Sequence, residues 1–299
     1  MKKLGLSLLA FGLFYFSAGN AFAQADKVPL PFVPKPNQTS RRTMTQEMVM
    51  NMTFDGELPE ALASLKTLNR EMKMKSVMGI IQKNGPMDKD GRLEVEISFD
   101  QADIETSMNG SPLPARGDKT KTLVGKKFKI VVNGKGEVLD FSFPDGVRGV
   151  EIVKQLIKYF NGNYPKEPMS IGQTAIIPYN LDFPLPWPGV APMKFDGQVK
   201  TKLVAVDGGV DDRIAKFEQA IDAKIINNMN VDLPSGNGKF TMNTDIKMIA
   251  NGGSQVYVDR GLVKYSEMNM VIDGKIGIKS EFQLPDILIK GTFKVSIAE

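Results

Sequence analysis

Residues 92–100 read Arg-Leu-Glu-Val-Glu-Ile-Ser-Phe-Asp. Leu93, Val95, Ile97 and Phe99 share one parity, and Arg92, Glu94, Glu96, Ser98 and Asp100 take the other. A strict period of two is the signature of an extended strand with one dry face and one wet face. The same period runs outward in both directions along the chain. Upstream, Met44, Met48, Met50, Met52 and Phe54 fall on one face, with Gln46 as the polar exception. Downstream, Phe128, Ile130 and Val132 repeat the pattern, as do Leu139, Phe141 and Phe143. Further alternating runs follow at 199–206, 241–250, 255–258, 265–272 and 287–297. One-sided alternation of this kind belongs to antiparallel strands.

The turns are written in the same hand. Twelve of the 28 glycines directly follow Asn or Asp, where composition alone predicts about three or four. Asn-Gly and Asp-Gly suit the positive φ angles of two-residue hairpin turns. Asn133-Gly134, Asp207-Gly208, Asn251-Gly252 and Asp273-Gly274 each separate two alternating runs, so each is read as a turn. The expected fold is mainly β, with some α. It is a long antiparallel meander forming a curved sheet or half-barrel.

Two stretches change period. Gly146 to Phe160 places Val147, Val150, Val153, Leu156, Ile157 and Phe160 on one stripe, predicting an amphipathic helix over 146–160. Leu58, Leu62, Leu65 and Leu68 around Pro59 predict a second, short N-terminal helix ending near Asn69. The longer helix divides a β-rich domain, 42–299, into two segments, 42–144 and 172–299. Each contains a basic alternating strand ending in Asx-Gly (127–134 and 199–208), which suggests a repeat.

The first residues are set apart from this domain. Lys2 and Lys3 precede an uncharged apolar run, Leu4 to Ser17, and Ala21-Phe22-Ala23 is a small-x-small cleavage site. Residues 1–23 therefore read as a secretory signal peptide, cleaved after Ala23, and the protein as periplasmic or secreted. Removing them leaves 276 of 299 residues, with no transmembrane segment expected in the mature chain. The formal charge of +4 falls to +2 once the two lysines leave, too small a surplus for a nucleic-acid partner. Residues 24–41 carry Pro29, Pro31, Pro34 and Pro36 and read as a leader arm, either a spacer or a docking segment.

Composition excludes most chemistry. The chain has no Cys and no His. That removes disulfides, thiol nucleophiles, imidazole bases and His- or Cys-ligated metals. No Gly-x-Ser-x-Gly elbow, Ser-x-x-Lys pair or P-loop is present. Asp88-Lys89-Asp90-Gly91 has part of a calcium loop, but the twelfth position is Ile97 where Glu is needed, so a turn is preferred. Asp211-Asp212 has no second carboxylate assigned by spacing for glycosidase chemistry. No enzyme activity, cofactor or metal is expected.

What remains is apolar. The chain has 17 methionines, seven of them between Met44 and Met78. Thioethers bind cuprous copper, but alternate spacing is equally what a buried strand face or a cavity for several apolar shapes requires. The segment 177–195 holds five prolines with Tyr179, Phe183 and the sole tryptophan, Trp187. It is read as a long crossover whose aromatics pin it to the core or rim a cavity.

The stretch Val138 to Phe143, the helix after it, and Pro168-Met169-Ser170-Ile171-Gly172-Gln173-Thr174 resemble an exported bacterial β-rich family of unknown function. The architecture is also similar, more loosely, to the LolA/LolB-like lipoprotein carriers, whose curved sheet holds acyl chains; that likeness implies a lipid cavity. Two functions follow as expectations. The first is a non-enzymatic carrier of a lipid or other hydrophobic ligand, with Met50, Met52, Phe99, Phe128, Phe141, Tyr179, Phe183 and Trp187 lining or rimming the cavity. The alternative is a structural module that binds a cell-envelope protein through its leader or a strand edge.

Overall fold

A computed structural model describes residues 27–28, 33–57, 70–113, 124–143, 167–183, 193–209, 212–232, 239–279 and 285–299. Fourteen strands and no helix occur among them. In the first half these are β1 (Lys27–Val28), β2 (Thr39–Phe54), β3 (Arg70–Met87), β4 (Arg92–Met108), β5 (Ser111–Pro112), β6 (Lys127–Asn133) and β7 (Val138–Ser142). The second half supplies β8 (Met169–Ser170), β9 (Thr174–Phe183), β10 (Met193–Asp207), β11 (Ile214–Asp232), β12 (Lys239–Tyr257), β13 (Leu262–Lys279) and β14 (Ile287–Ala298). The two helices expected at 59–69 and 146–160 lie outside the described residues, as does the expected signal peptide.

Twelve strands form one antiparallel sheet in the order β7-β6-β4-β3-β2-β14-β13-β12-β11-β10-β9, with β5 added beside β4. The chain walks from β2 out to β7, restarts at the opposite edge with β9, and walks back to β14. There β14 pairs with β2, Ile297 opposite Met44 and Ile289 opposite Met52. The first and last long strands thus form a seam in mid-sheet, and segments 42–144 and 172–299 lie on either side of it. The sheet is not closed: β7 and β9 are its two ends in the strand order.

Alternation decides which face is dry. On β2, β3 and β4 the buried apolar positions include Met44 and Met48, then Met74, Met78 and Ile80, then Leu93, Val95, Ile97 and Phe99. One contiguous apolar cluster runs across this inner face, from Phe128 and Ile130 on β6 to Phe195 and Val199 on β10. A smaller cluster lies under β10 to β13, where Leu203, Ala215, Phe217 and Val256 pack with Val28 of β1 and Met169 of β8. Fully burying each such side chain contributes about 1.5–3 kcal/mol, so the inner face supplies the main stabilising term.

Two expectations about turns are corrected. Asn251-Gly252 and Asp273-Gly274 are not hairpin turns; they lie inside β12 and β13. Asp196-Gly197 likewise sits inside β10. These glycines face inward, each opposite a partner whose backbone leans over it: Gly197 by Ala223, Gly252 by Met268, Gly274 by Ile246, and also Gly291 by Met50. A Cβ at Gly197 would fall 2.7 Å from the Ala223 Cα, and one at Gly274 would fall 2.5 Å from the Ile246 Cα. Glycine in a strand interior is required where neighbouring backbone approaches this closely, and it lets a sheet coil sharply. Asp207-Gly208, by contrast, does stand at a strand end: Gly208, at φ 97°, opens the connection from β10 to β11, which is six residues long and not the expected two-residue turn.

The segment 177–195 is also corrected. It is not a crossover: β9 and β10 pair as two antiparallel limbs, Phe183 opposite Met193 and Ile177 opposite Val199. Pro178 is tolerated because β9 ends the strand order, where a missing N–H breaks no interior ladder. On β7 the expected alternation slips, because the register shifts between Val131 and Val132. Leu139 consequently turns outward and is half exposed, while Val138 and Phe141 pack on the core.

The outer face is charged. Arg41 reaches over Gly79 to Asp100 at 2.6 Å, and the pair fills the space where a Cβ at Gly79 would stand. Glu267 accepts hydrogen bonds from the Tyr265 hydroxyl at 2.6 Å, Asn269 Nδ2 at 3.1 Å and Lys294 Nζ at 3.1 Å. Led by the tyrosine bond, these hold its carboxyl at about 2, below its ordinary 4.5. A depressed carboxyl contributes stability above its unfolded value, and that contribution is lost as pH falls through about 2. Glu267→Gln is therefore expected to flatten the acid loss of stability between pH 4.5 and 2. Urea midpoints measured across that range check it, and equal slopes for both proteins would refute it.

Candidate functional site on the inner face

The inner face is built in cross-strand rows. Toward the end where β2 starts, Leu93 and Leu203 are 0% exposed. Toward the opposite end Met50, Phe195, Ile225, Ile246 and Ile272 remain packed on the cluster but only half-buried, among the buried Ala223, Met248 and Ile289. Phe195, Ile225 and Ile246 occupy one row across β10, β11 and β12, and Met50 and Met72 continue the adjacent row across β2 and β3. The apolar face is thus sealed at one end and partly accessible at the other.

Methionine dominates the centre of this face. Met44 lies opposite Met78, Met48 opposite Met74 and Met50 opposite Met72, while Met72 in turn faces Met108 on β4. Met248, Met268 and Met270 add to the same cluster from β12 and β13. The last three were not singled out in the sequence, although 265–272 alternates; only the register reveals that they join the others.

Of the residues expected to line a cavity, Phe99, Phe128, Phe141 and Met50 fall in or against one apolar cluster. Phe99 and Phe128 meet edge to face at 5.7 Å, and Phe128 meets Phe143 at 5.8 Å, so Phe143 links Phe141 to the group. Met52 shares the face of Met50 and is half-buried, two residues nearer the open end. Tyr179 lies opposite Gly197 and Phe183 opposite Met193 in the backbone register. Trp187 is outside the described residues.

Polar side chains are set into this face. Gln46, the exception in the methionine run, is fully buried; it accepts from Ser76 Oγ at 3.2 Å and donates to Met44 Sδ at 3.5 Å. At the sealed end Arg42, 3% exposed, donates to Gln82 Oε1 at 2.5 Å. Gln82 donates to Asn84 Oδ1 at 2.9 Å, and Asn84 donates to the Lys35 carbonyl at 2.8 Å. Burial lowers the Arg42 guanidinium to about 10. It is the one charged side chain buried among the described residues.

The carboxylates noted in the sequence serve local structure. Asp88 Oδ1 accepts from the N–H groups of Asp90 and Arg92 and so closes the β3–β4 turn. Asp212 pairs with Arg260 at 2.9 Å, and Asp211 is outside the described residues. Among the described residues no group of three or more Asp or Glu is placed to hold a metal ion, and no helix is long and apolar enough to cross a membrane. Compared with protein-family models and with curated proteins, the chain matches none.

Proposed function

We propose that this is a non-enzymatic exported protein that binds a lipid or another hydrophobic ligand along the inner face of its curved sheet. The observation that carries the reading is the burial gradient: one apolar face, sealed where β2 begins and half-buried around Met50, Ile225, Ile246 and Ile272. Methionine suits such a surface, because an unbranched, polarizable side chain repacks around different apolar shapes at little cost. The close backbone approach at the strand-interior glycines of β10, β12, β13 and β14 is compatible with a strongly coiled, concave surface.

Native mass spectrometry of protein purified from its own compartment, followed by solvent extraction, tests this. A stoichiometric co-purified lipid is the expected result. In solution, an environment-sensitive naphthylamine dye is expected to bind and to be displaced by acyl chains. Met50→Lys combined with Ile272→Lys should weaken dye binding at least ten-fold, since a charge cannot be desolvated beside an alkyl chain. A clean apo mass together with no dye binding overturns the proposal.

One observation favours the second reading, an interaction module for a cell-envelope protein. On the outer face Val271, 56% exposed, lies directly opposite the exposed Ile249. That pair, and not the leader, is where such a module would make contact.

A further inference from the structure

We propose that the methionine block shared by β2 and β3 is a binding site for a soft monovalent cation, copper(I) or silver(I). Met48 faces Met74 and Met50 faces Met72, so four methionines occupy the corners of a rectangle on one side of the sheet. Directly opposed residues of an antiparallel pair are about 5 Å apart, and residues two apart along a strand about 6.7 Å. Three rotatable bonds allow each methionine to bring its sulfur over the middle of such a rectangle. Met48, Met72 and Met74 are buried and Met50 is half-buried, which shields the site on three corners and leaves one side for entry.

Sulfur on this face already acts as an electron-pair donor. Arg70 Nη1 donates to Met108 Sδ at 3.2 Å, and Gln46 Nε2 donates to Met44 Sδ at 3.5 Å. These two contacts bracket the block and engage the flanking sulfurs, so the four between them define the site. The surroundings set its selectivity. The rows of the block continue into Gly291 and Phe293 on β14, with no carboxylate, and the chain has no His or Cys. Calcium, magnesium and zinc find none of their preferred ligands here, whereas thioethers suit copper(I). Binding exchanges one set of ligands for another and involves no electron transfer. The inference is independent of the apolar-ligand reading.

Anaerobic titration of the full chain with silver(I), read by native mass spectrometry, tests it, alongside competition for copper(I) with a chromophoric chelator. One ion per chain is expected, with no retention of zinc(II). Met50→Leu with Met72→Leu conserves volume and should raise the dissociation constant at least ten-fold, while Met268→Leu on β13 leaves it unchanged. X-ray absorption of the wild-type copper(I) complex should show sulfur ligation alone, and this decides the matter if the double variant does not fold. Failure to retain the ion, retention unaffected in the folded double variant, or nitrogen or oxygen ligation overturns the proposal.

Discussion

Gly252→Val is expected to destabilise the fold by about 4 kcal/mol or more. A Cβ at this position would overlap the carbonyl oxygen of Glu267 and lie 2.8 Å from the Cα of Met268. Both are backbone atoms of β13, so no rotamer change relieves the clash. β13 is held in register with β12 on one side and β14 on the other, and retreat would open both ladders. Overpacking and backbone strain of this kind cost about 4 kcal/mol or more, a large part of a typical 5–15 kcal/mol stability. Gly274→Ala meets the Ile246 Cα at 2.5 Å and should cost about 2–4 kcal/mol for the same reason. Gly209→Ala is the control: it meets nothing within 4 Å and should stay within about 0.5 kcal/mol of wild type. Denaturant midpoints give all three values, and a Gly252→Val protein as stable as wild type would refute the close backbone packing of β12 against β13.

The same glycines mark where local reading ends. Leu93, Val95, Ile97 and Phe99 are legible as a dry face because alternation is a property of one strand, and all four are buried. Asn251-Gly252 and Asp273-Gly274 mislead because the dipeptide that favours a turn is also the one that tolerates a close backbone. Its second use is dictated by Glu267 and Ile246, residues that sequence distance hides. Leu139 misleads for a related reason: the slip that turns it outward is set by pairing with Val131 and Val132 on β6. The seam is the extreme case, since nothing local to Met44 announces Ile297 as its neighbour. The candidate site divides in the same way. Methionines of one strand can be counted from the sequence, but the block of Met48, Met50, Met72 and Met74 exists only in the register. Gln46 was visible as an exception to the pattern, whereas its partner Ser76 was not.

Deleting residues 24–38 is expected to lower stability by about 5 kcal/mol, or about 10 °C in Tm, and to open the sealed end of the inner face. The leader is not a free arm where the structure describes it. Lys27 and Val28 pair with Ser170 and Met169, and both apolar side chains of that small ladder are buried, Val28 at 1% and Met169 at 0% exposed. The Lys35 N–H donates to the Arg260 carbonyl and the Asn37 N–H to the Gly85 carbonyl, each at 3.0 Å, while the Asn84 N–H donates to the Gln38 carbonyl at 2.8 Å. The segment therefore ties the β12–β13 turn to the end of β3, two places on opposite sides of the β2–β14 seam. Its loss would expose Met169 and strip Asn84 of the Lys35 carbonyl, leaving the Arg42–Gln82–Asn84 chain without its last acceptor. A buried polar group so stranded costs about 1–3 kcal/mol, in addition to about 2 kcal/mol for the lost burial of Val28. Val28→Asp isolates the packing contribution and should cost about 3 kcal/mol. Thermal melts and uptake of an apolar dye measure both effects. A leader that only docks a partner predicts no change in either, so an unaltered Tm in the deleted protein would return the segment to that role.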